Sequence, residues 1–186
     1  KVVTLSRRGT RPKGERTRQK ILAATLRVIA SDGVRGTTHR AIAKEAGVQR
    51  IVFMSVHQAD QASHIPHFGS KVEIARALER SGIPYTVIEP NSFYQNDVGL
   101  QQPLMAFGVY PMPLGSAGLN RVDVRDIADA VVAALTEDGH EGEHYPVVGP
   151  VAWTGESTAQ AWGAALGSGV IYGGDDLDTW SQAASA

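Results

Sequence analysis

At Arg50 the hydrophobic pattern of this 186-residue chain changes from helical to strand-like, and that change constrains the fold more than any other feature. Beyond it, short apolar runs alternate with stretches of helical period. Residues 51–56 and 85–88 are continuous runs rich in β-branched residues, as in parallel strands buried on both faces. Between them, residues 68–80 read as a helix with Ile74, Ala75 and Leu78 inward, broken by Ser81-Gly82; Pro90 closes the second run. Residues 120–124 and 144–148 read as further strands. Residues 125–136, with Ile127, Ala128, Val131, Val132 and Leu135, and residues 157–166 read as further helices. Residues 167–174 are a Gly-rich turn around a short strand, and residues 175–186 a final helix or a frayed tail. Strands alternating with helices predict an α/β fold with a mostly parallel sheet.

Before Arg50 the pattern is helical. Residues 16–31 place Ile21, Leu22, Thr25, Leu26, Val28 and Ile29 on one stripe, and Asp32-Gly33 stops the helix. Thr37 or Thr38 can cap a second helix that buries Ala41, Ile42 and Ala46 and ends at Gly47. Residues 1–15 read as a mobile basic arm. A second reading makes residues 1–8 a strand ending in Arg7 and Arg8, where an NADP-binding fold can hold the 2′-phosphate.

The net charge of −1 hides a split. Residues 1–50 hold 13 Lys and Arg against three Asp and Glu; the rest holds five against 16. A basic segment is the electrostatic footprint of nucleic-acid binding, and equally that of an arm docking on an acidic domain. The chain has no cysteine, so disulfides and thiolate chemistry are excluded. No apolar run approaches the roughly 18 residues of a membrane span, and no signal peptide is visible, so the expected compartment is the cytoplasm. The chain begins with Lys1 rather than Met, as a trimmed chain or a fragment does. The histidines are scattered without metal-site spacing, and Asp123, Asp126 and Asp129 read as an acidic helix start, so no metal is expected.

Residues 38–50 have helix-turn-helix chemistry. Ala43 allows close helix approach, and Gly47 supplies the positive φ of a tight turn. Gln49 and Arg50 would then open a recognition helix and reach base edges. Residues 14–33 and 37–48 resemble the first helix, second helix and turn of TetR-family repressors. The resemblance covers about residues 7–50 and implies DNA contacts from Arg16, Thr38, His39, Gln49 and Arg50. It then stops: Ile51-Val-Phe-Met-Ser-Val56 has the composition of a strand, not of the expected recognition helix.

The remainder resembles NmrA-like proteins, atypical relatives of the short-chain dehydrogenases. The resemblance runs through Arg50-Ile-Val-Phe-Met-Ser-Val56, His67-Phe-Gly-Ser-Lys71, Ser81-Gly-Ile-Pro-Tyr85 with the residues up to Asn96, residues 122–129, and Tyr145-Pro-Val-Val-Gly-Pro150. It implies a truncated Rossmann-type parallel sheet and an NAD(P) site. In that site Ser55 orients a carbonyl, Lys71 holds the ribose, and Pro90, Asn91 and Phe93 line the nicotinamide end. Active relatives pair that lysine with a tyrosine four residues earlier; His67 stands there, a residue able to move protons near neutral pH or simply to flank a helix. The Gly-rich pyrophosphate turn is not found, so NAD(P) binding is expected to be weak or absent.

The expected organisation is therefore a basic arm (1–15), a TetR-type helical segment (16–49), an incomplete NmrA-like domain (50–180) and a tail (181–186). The leading functional expectation is a regulatory protein that binds DNA through residues 1–50 and keeps a vestigial dinucleotide fold, with a small-molecule ligand as a second partner. The alternative is an NAD(P)H-dependent oxidoreductase whose phosphate-binding half lies elsewhere. A third possibility is a recombined product without a function of its own.

Overall fold

The computed structural model describes the backbone of residues 12–184, and the side chains of all of these but 12–14, 39, 40, 179, 183 and 184. The arm and strand readings of residues 1–11 fall outside the described residues. Helix α1 (Pro12–Gly36) loses helical geometry at Gly33, with φ 70°, at the predicted Asp-Gly stop. Thr38 caps α2 (His39–Glu45) by accepting a hydrogen bond from the Ala41 N–H at 3.1 Å. The two helices pack together, and an Arg27–Glu45 ion pair links them. The predicted stripe of α1 is only partly buried. Of its residues Val28 is covered, as is Ala24 beside it, whereas Ile21, Leu22, Leu26 and Ile29 stay exposed. The seven-residue α2 is too short to cover a stripe running along a helix of 25 residues.

Gly47, with φ 70°, turns the chain as expected. Four residues later it enters strand β1 (Ile51–Met54), so no recognition helix follows the turn. β1 pairs in parallel with β2 (Tyr85–Pro90), in a register that sets Met54 opposite Ile88. β2 pairs in parallel with β5 (His144–Val147). The order β1-β2-β5 makes β2 central, and Thr86, Val87 and Ile88 are fully buried there. Among the described residues, β1 has a partner on one side.

Helix α3 (Pro66–Glu79) joins β1 to β2, and α5 (Val124–Thr136) precedes β5. Ile127 and Ala134 of α5 close one core with Ile88 and Val122, and Val52 and Tyr145 pack against it. Ala75 is buried as expected, but Ile74, Val132 and Leu135 remain exposed. A smaller second core gathers Leu104 of α4 (Gln101–Phe107), Tyr110 of β3 (Val109–Tyr110) and Ala159 of α6 (Gly155–Leu166). β3 pairs with β7 (Ile171–Tyr172), and α7 (Leu177–Ala184) ends the described chain.

The strand expected over residues 120–124 is shorter. Leu119–Asn120 forms β4, antiparallel to β6 (Ala152–Trp153), and Val122 bridges to Phe93. Asp123 is already committed as the N-cap of α5, accepting from the Arg125 N–H at 2.8 Å, so extended pairing must end before it. The hydrogen bonds and charge of Arg125 hold the Asp123 carboxyl well below its ordinary range. No described helix is long and apolar enough to cross a membrane.

Arg50 has a different place from the one its sequence context predicts. Its guanidinium turns into the α/β body and donates to the Ala134 carbonyl at 3.0 Å and to the Glu137 carbonyl, with Asp138 and Glu141 beside it. It thus caps the C-terminal end of α5, where unsatisfied carbonyls attract a cation. Arg50→Ala is expected to lower folding stability by about 1.5–3 kcal/mol, the range for hydrogen bonds to a charged group. Urea unfolding measures it, and a loss below about 0.5 kcal/mol would remove the capping role.

Candidate active site

Parallel pairing of β1 and β2 brings their carboxyl ends side by side, and Ser55 and His67, two of the three predicted catalytic residues, collect there. Ser55 follows β1 directly and is buried, its N–H donating to the Ile88 carbonyl at 2.8 Å. Pro90 ends β2, and the Asn91 side chain accepts from the Ser92 N–H at 2.8 Å, fixing the turn that presents Phe93. His67 lies in the first turn of α3, next to Pro66, whose missing N–H suits a helix start. The rings of His67 and Phe68 meet edge to face at 5.6 Å. Ser55, His67, Pro90, Asn91 and Phe93 line one cleft of about 660 Å³.

Lys71 is one turn further along α3 and outside that lining. Its ammonium donates to the Met54 carbonyl at 3.3 Å and lies 5.4 Å from the centre of the Phe53 ring. His57 is a cleft residue that sequence spacing alone groups with the scattered histidines. Its backbone N–H donates to the Pro90 carbonyl at 3.0 Å, and its buried Nδ1 has no partner among the described residues. The available signal was its position two residues beyond Ser55 at a strand end.

A second feature had no local signal at all. Asp97 and Arg121 form a buried, two-pronged ion pair, with contacts of 2.6 and 3.0 Å. Arg121 also donates to the Phe93 carbonyl at 3.1 Å, so this pair holds the backbone of the cleft wall. Burial is the strongest influence and works against the guanidinium's charge, but the hydrogen bond to Asp97 and the electrostatics of Tyr110, Asp97 and Tyr94 together outweigh it and raise the Arg121 pKa. The indole of Trp162 donates to Asp97 at 3.0 Å, and the phenol of Tyr110 at 3.3 Å. Burial pushes the Tyr110 phenol up, so it stays a neutral donor.

The residues expected to touch DNA do not form one surface with a reading helix. Arg16 is exposed on α1, the Thr38 side chain is spent on its cap, and Gln49 is exposed in the link to β1. Arg50 points into α5, and the His39 side chain is outside the described residues. Gln49 and Arg50 both precede a strand, so neither stands on a reading helix.

The sequence profile of the NmrA-like family matches residues 34–174. The chain belongs to the NmrA-like family. The match begins at residue 34, so α2 and the Gly47 turn lie inside the NmrA-like span. An NAD(P)H azoreductase of Xenophilus azovorans is 36% identical over 141 residues, 76% of this chain and 49% of that protein. A (4-alkanoyl-5-oxo-2,5-dihydrofuran-3-yl)methyl phosphate reductase of Streptomyces griseus is 38% identical over 124 residues, 64% of this chain and 43% of that protein. Among solved structures, an NADPH-dependent quinone oxidoreductase from Escherichia coli superposes with a TM-score of 0.72 at 27% identity. That match covers 80% of this chain and 55% of the other. The NmrA-like chain thus spans about half the length of the curated relatives it matches.

Proposed function

We propose that this NmrA-like chain carries the nicotinamide and acceptor end of an NAD(P)H-dependent oxidoreductase site. The observation that carries the reading is the convergence of Ser55, His67, Pro90, Asn91 and Phe93 at the carboxyl ends of two adjacent parallel strands. Open α/β sheets bind ligands at that end. The activities named for the azoreductase and the quinone oxidoreductase support the same chemistry.

The donor set fits half of a dinucleotide. Polar side chains and a flat apolar wall suit a nicotinamide ring, but no Gly-rich turn opens a helix behind a sheet strand among the described residues. When bound, the cofactor supplies a hydride. The chain's own residues orient the acceptor and move the proton. The Ser55 hydroxyl offers a hydrogen bond to the acceptor oxygen or nitrogen. His67 takes the place of the relatives' tyrosine as proton donor, and Phe93 and Pro90 exclude water. By the resemblance Lys71 is the ribose ligand, and its ammonium would have to leave the Met54 carbonyl to serve.

NADPH is expected to bind with a dissociation constant above about 10 μM, weaker than roughly −7 kcal/mol, since pyrophosphate contacts are lacking. The reading itself is tested with reduced nicotinamide mononucleotide, which needs no pyrophosphate cradle. Saturation-transfer NMR should show contact to the ring protons, lost on His67→Trp, which fills the cleft. Absent transfer, or transfer indifferent to that substitution, would overturn the reading.

Without a reading helix, the basic residues 1–50 are expected to hold DNA by charge alone. Binding through about six phosphates should fall on the order of a thousandfold between 50 and 200 mM salt. A preference above about a thousandfold for one duplex, in competition at physiological salt, would contradict this.

A further inference from the structure

A second concavity, sharing no lining residue with the Ser55–His67 cleft, lies between the Tyr94–Leu100 turn, β6 and α6. It measures about 240 Å³ and adjoins a groove of about 460 Å³ through Tyr94, Asp97 and Trp162. We propose that it binds a neutral, flat aromatic compound of one or two fused rings.

Three observations set that class. The first is the wall. Two of the three tryptophans, Trp153 and Trp162, line it together with Tyr94. Tyr94 and Trp153 stand edge to face, with centres 6.4 Å apart and planes at 84°, which forms a corner that accepts a flat ring. The Trp162 indole is held by its hydrogen bond to Asp97, so the corner is set before anything binds. Fixed walls reduce the ordering cost of binding.

The second observation is room. Ala161 and Ala165, one turn apart on α6 and both exposed, complete the lining with Thr158, whose hydroxyl is spent on the Thr154 carbonyl at 2.8 Å. The third is charge. The floor is the Asp97–Arg121 pair, whose charges cancel at 2.6 Å. The guanidinium already sits 5.1 Å from the Tyr94 ring centre, on the face a cationic ligand would seek. An anion meets a guanidinium whose terminal nitrogens are engaged by Asp97, Tyr110 and the Phe93 and Tyr94 carbonyls, and whose unpartnered Nε is buried. Neither sign of ligand charge gains, and a neutral ring gains by burial alone.

The experiment is a titration of the whole chain with 2-naphthol, followed through the tryptophan indole N–H signals in a nitrogen-correlated NMR spectrum. Trp153 and Trp162 should shift and saturate while Trp180, which does not line the pocket, stays in place. Ala165→Phe fills the pocket from an exposed helical position and should weaken binding at least tenfold with the fold unchanged. Ser55→Ala should leave binding unchanged, which separates this site from the oxidoreductase cleft. The charged analogues 2-naphthoate and 2-naphthylmethylammonium should bind at least tenfold more weakly. The proposal is overturned by the absence of a saturable shift, by equal movement of Trp180, by unaltered binding to the Ala165→Phe variant, or by equal binding of either ion.

Discussion

Arg121→Met is expected to cost about 3–5 kcal/mol of folding stability, the range for breaking a buried ion pair from one side. Asp97 is 5% exposed and Arg121 2%, so solvent reaches neither. Methionine fills much of the space but leaves the Asp97 carboxylate with only neutral donors, Trp162 and Tyr110. It also strips a donor from the Phe93 and Tyr94 carbonyls, which lie at 3.1 and 3.4 Å from the guanidinium. Equilibrium urea unfolding, with parent and variant compared at the same slope, measures the loss. Adding Asp97→Asn to the variant removes the stranded charge and should recover part of it. A loss below about 1 kcal/mol for the single variant would mean that water or another cation reaches the carboxylate.

Gly149→Ala is the second substitution expected to be severe, at about 1–3 kcal/mol, the usual range for overpacking. A Cβ there would overlap the backbone carbonyl oxygen of Arg121. That carbonyl has little freedom to retreat. The Arg121 N–H donates to Leu119 at 2.9 Å, its side chain is tied to Asp97, and the Asn120 amide donates to Gly149 itself at 2.9 Å. Gly99→Ala is the matched control, because a Cβ at Gly99 meets nothing within 4 Å and its backbone lies outside the left-handed region. Thermal unfolding of the two variants should separate them by several degrees. Equal midpoints would show that the Gly149 segment shifts freely.

The sheet could be read from the sequence because a buried parallel strand leaves a local mark. The β-branched runs at Ile51 and Tyr85 need no partner to be recognised, and both form strands. The helix-turn-helix reading of residues 38–50 gains no support, for a related reason. A small residue at Ala43 with Gly47 four positions on marks any helix that ends in a tight turn, and the element beyond the turn decides its role. Here that element is β1, and Arg50 caps α5 instead of reading bases. Period likewise showed which side of α1 is apolar, but not how little of α2 there is to cover it. The cleft residues Ser55, His67, Pro90, Asn91 and Phe93 were found through the family resemblance. Their meeting depends on the β1–β2 register. Asp97 and Arg121 lie 24 residues apart, and nothing local links them. A buried ion pair is a property of the packed molecule, since either residue alone reads as surface charge.

The one-sided pairing of β1 bears on how separate molecules behave toward one another. The N–H groups of Ile51 and Ser55 bond toward β2, so by alternation those of Val52 and Met54 face the other way. Such an edge is a template on which a strand from a neighbour can add. Here the template is four residues long, and the Lys71 ammonium sits on the Met54 carbonyl at 3.3 Å. An incoming strand would have to dislodge a cation from its last acceptor and strand it beside the new backbone. Lys71 therefore adds to the cost of edge-to-edge pairing at β1.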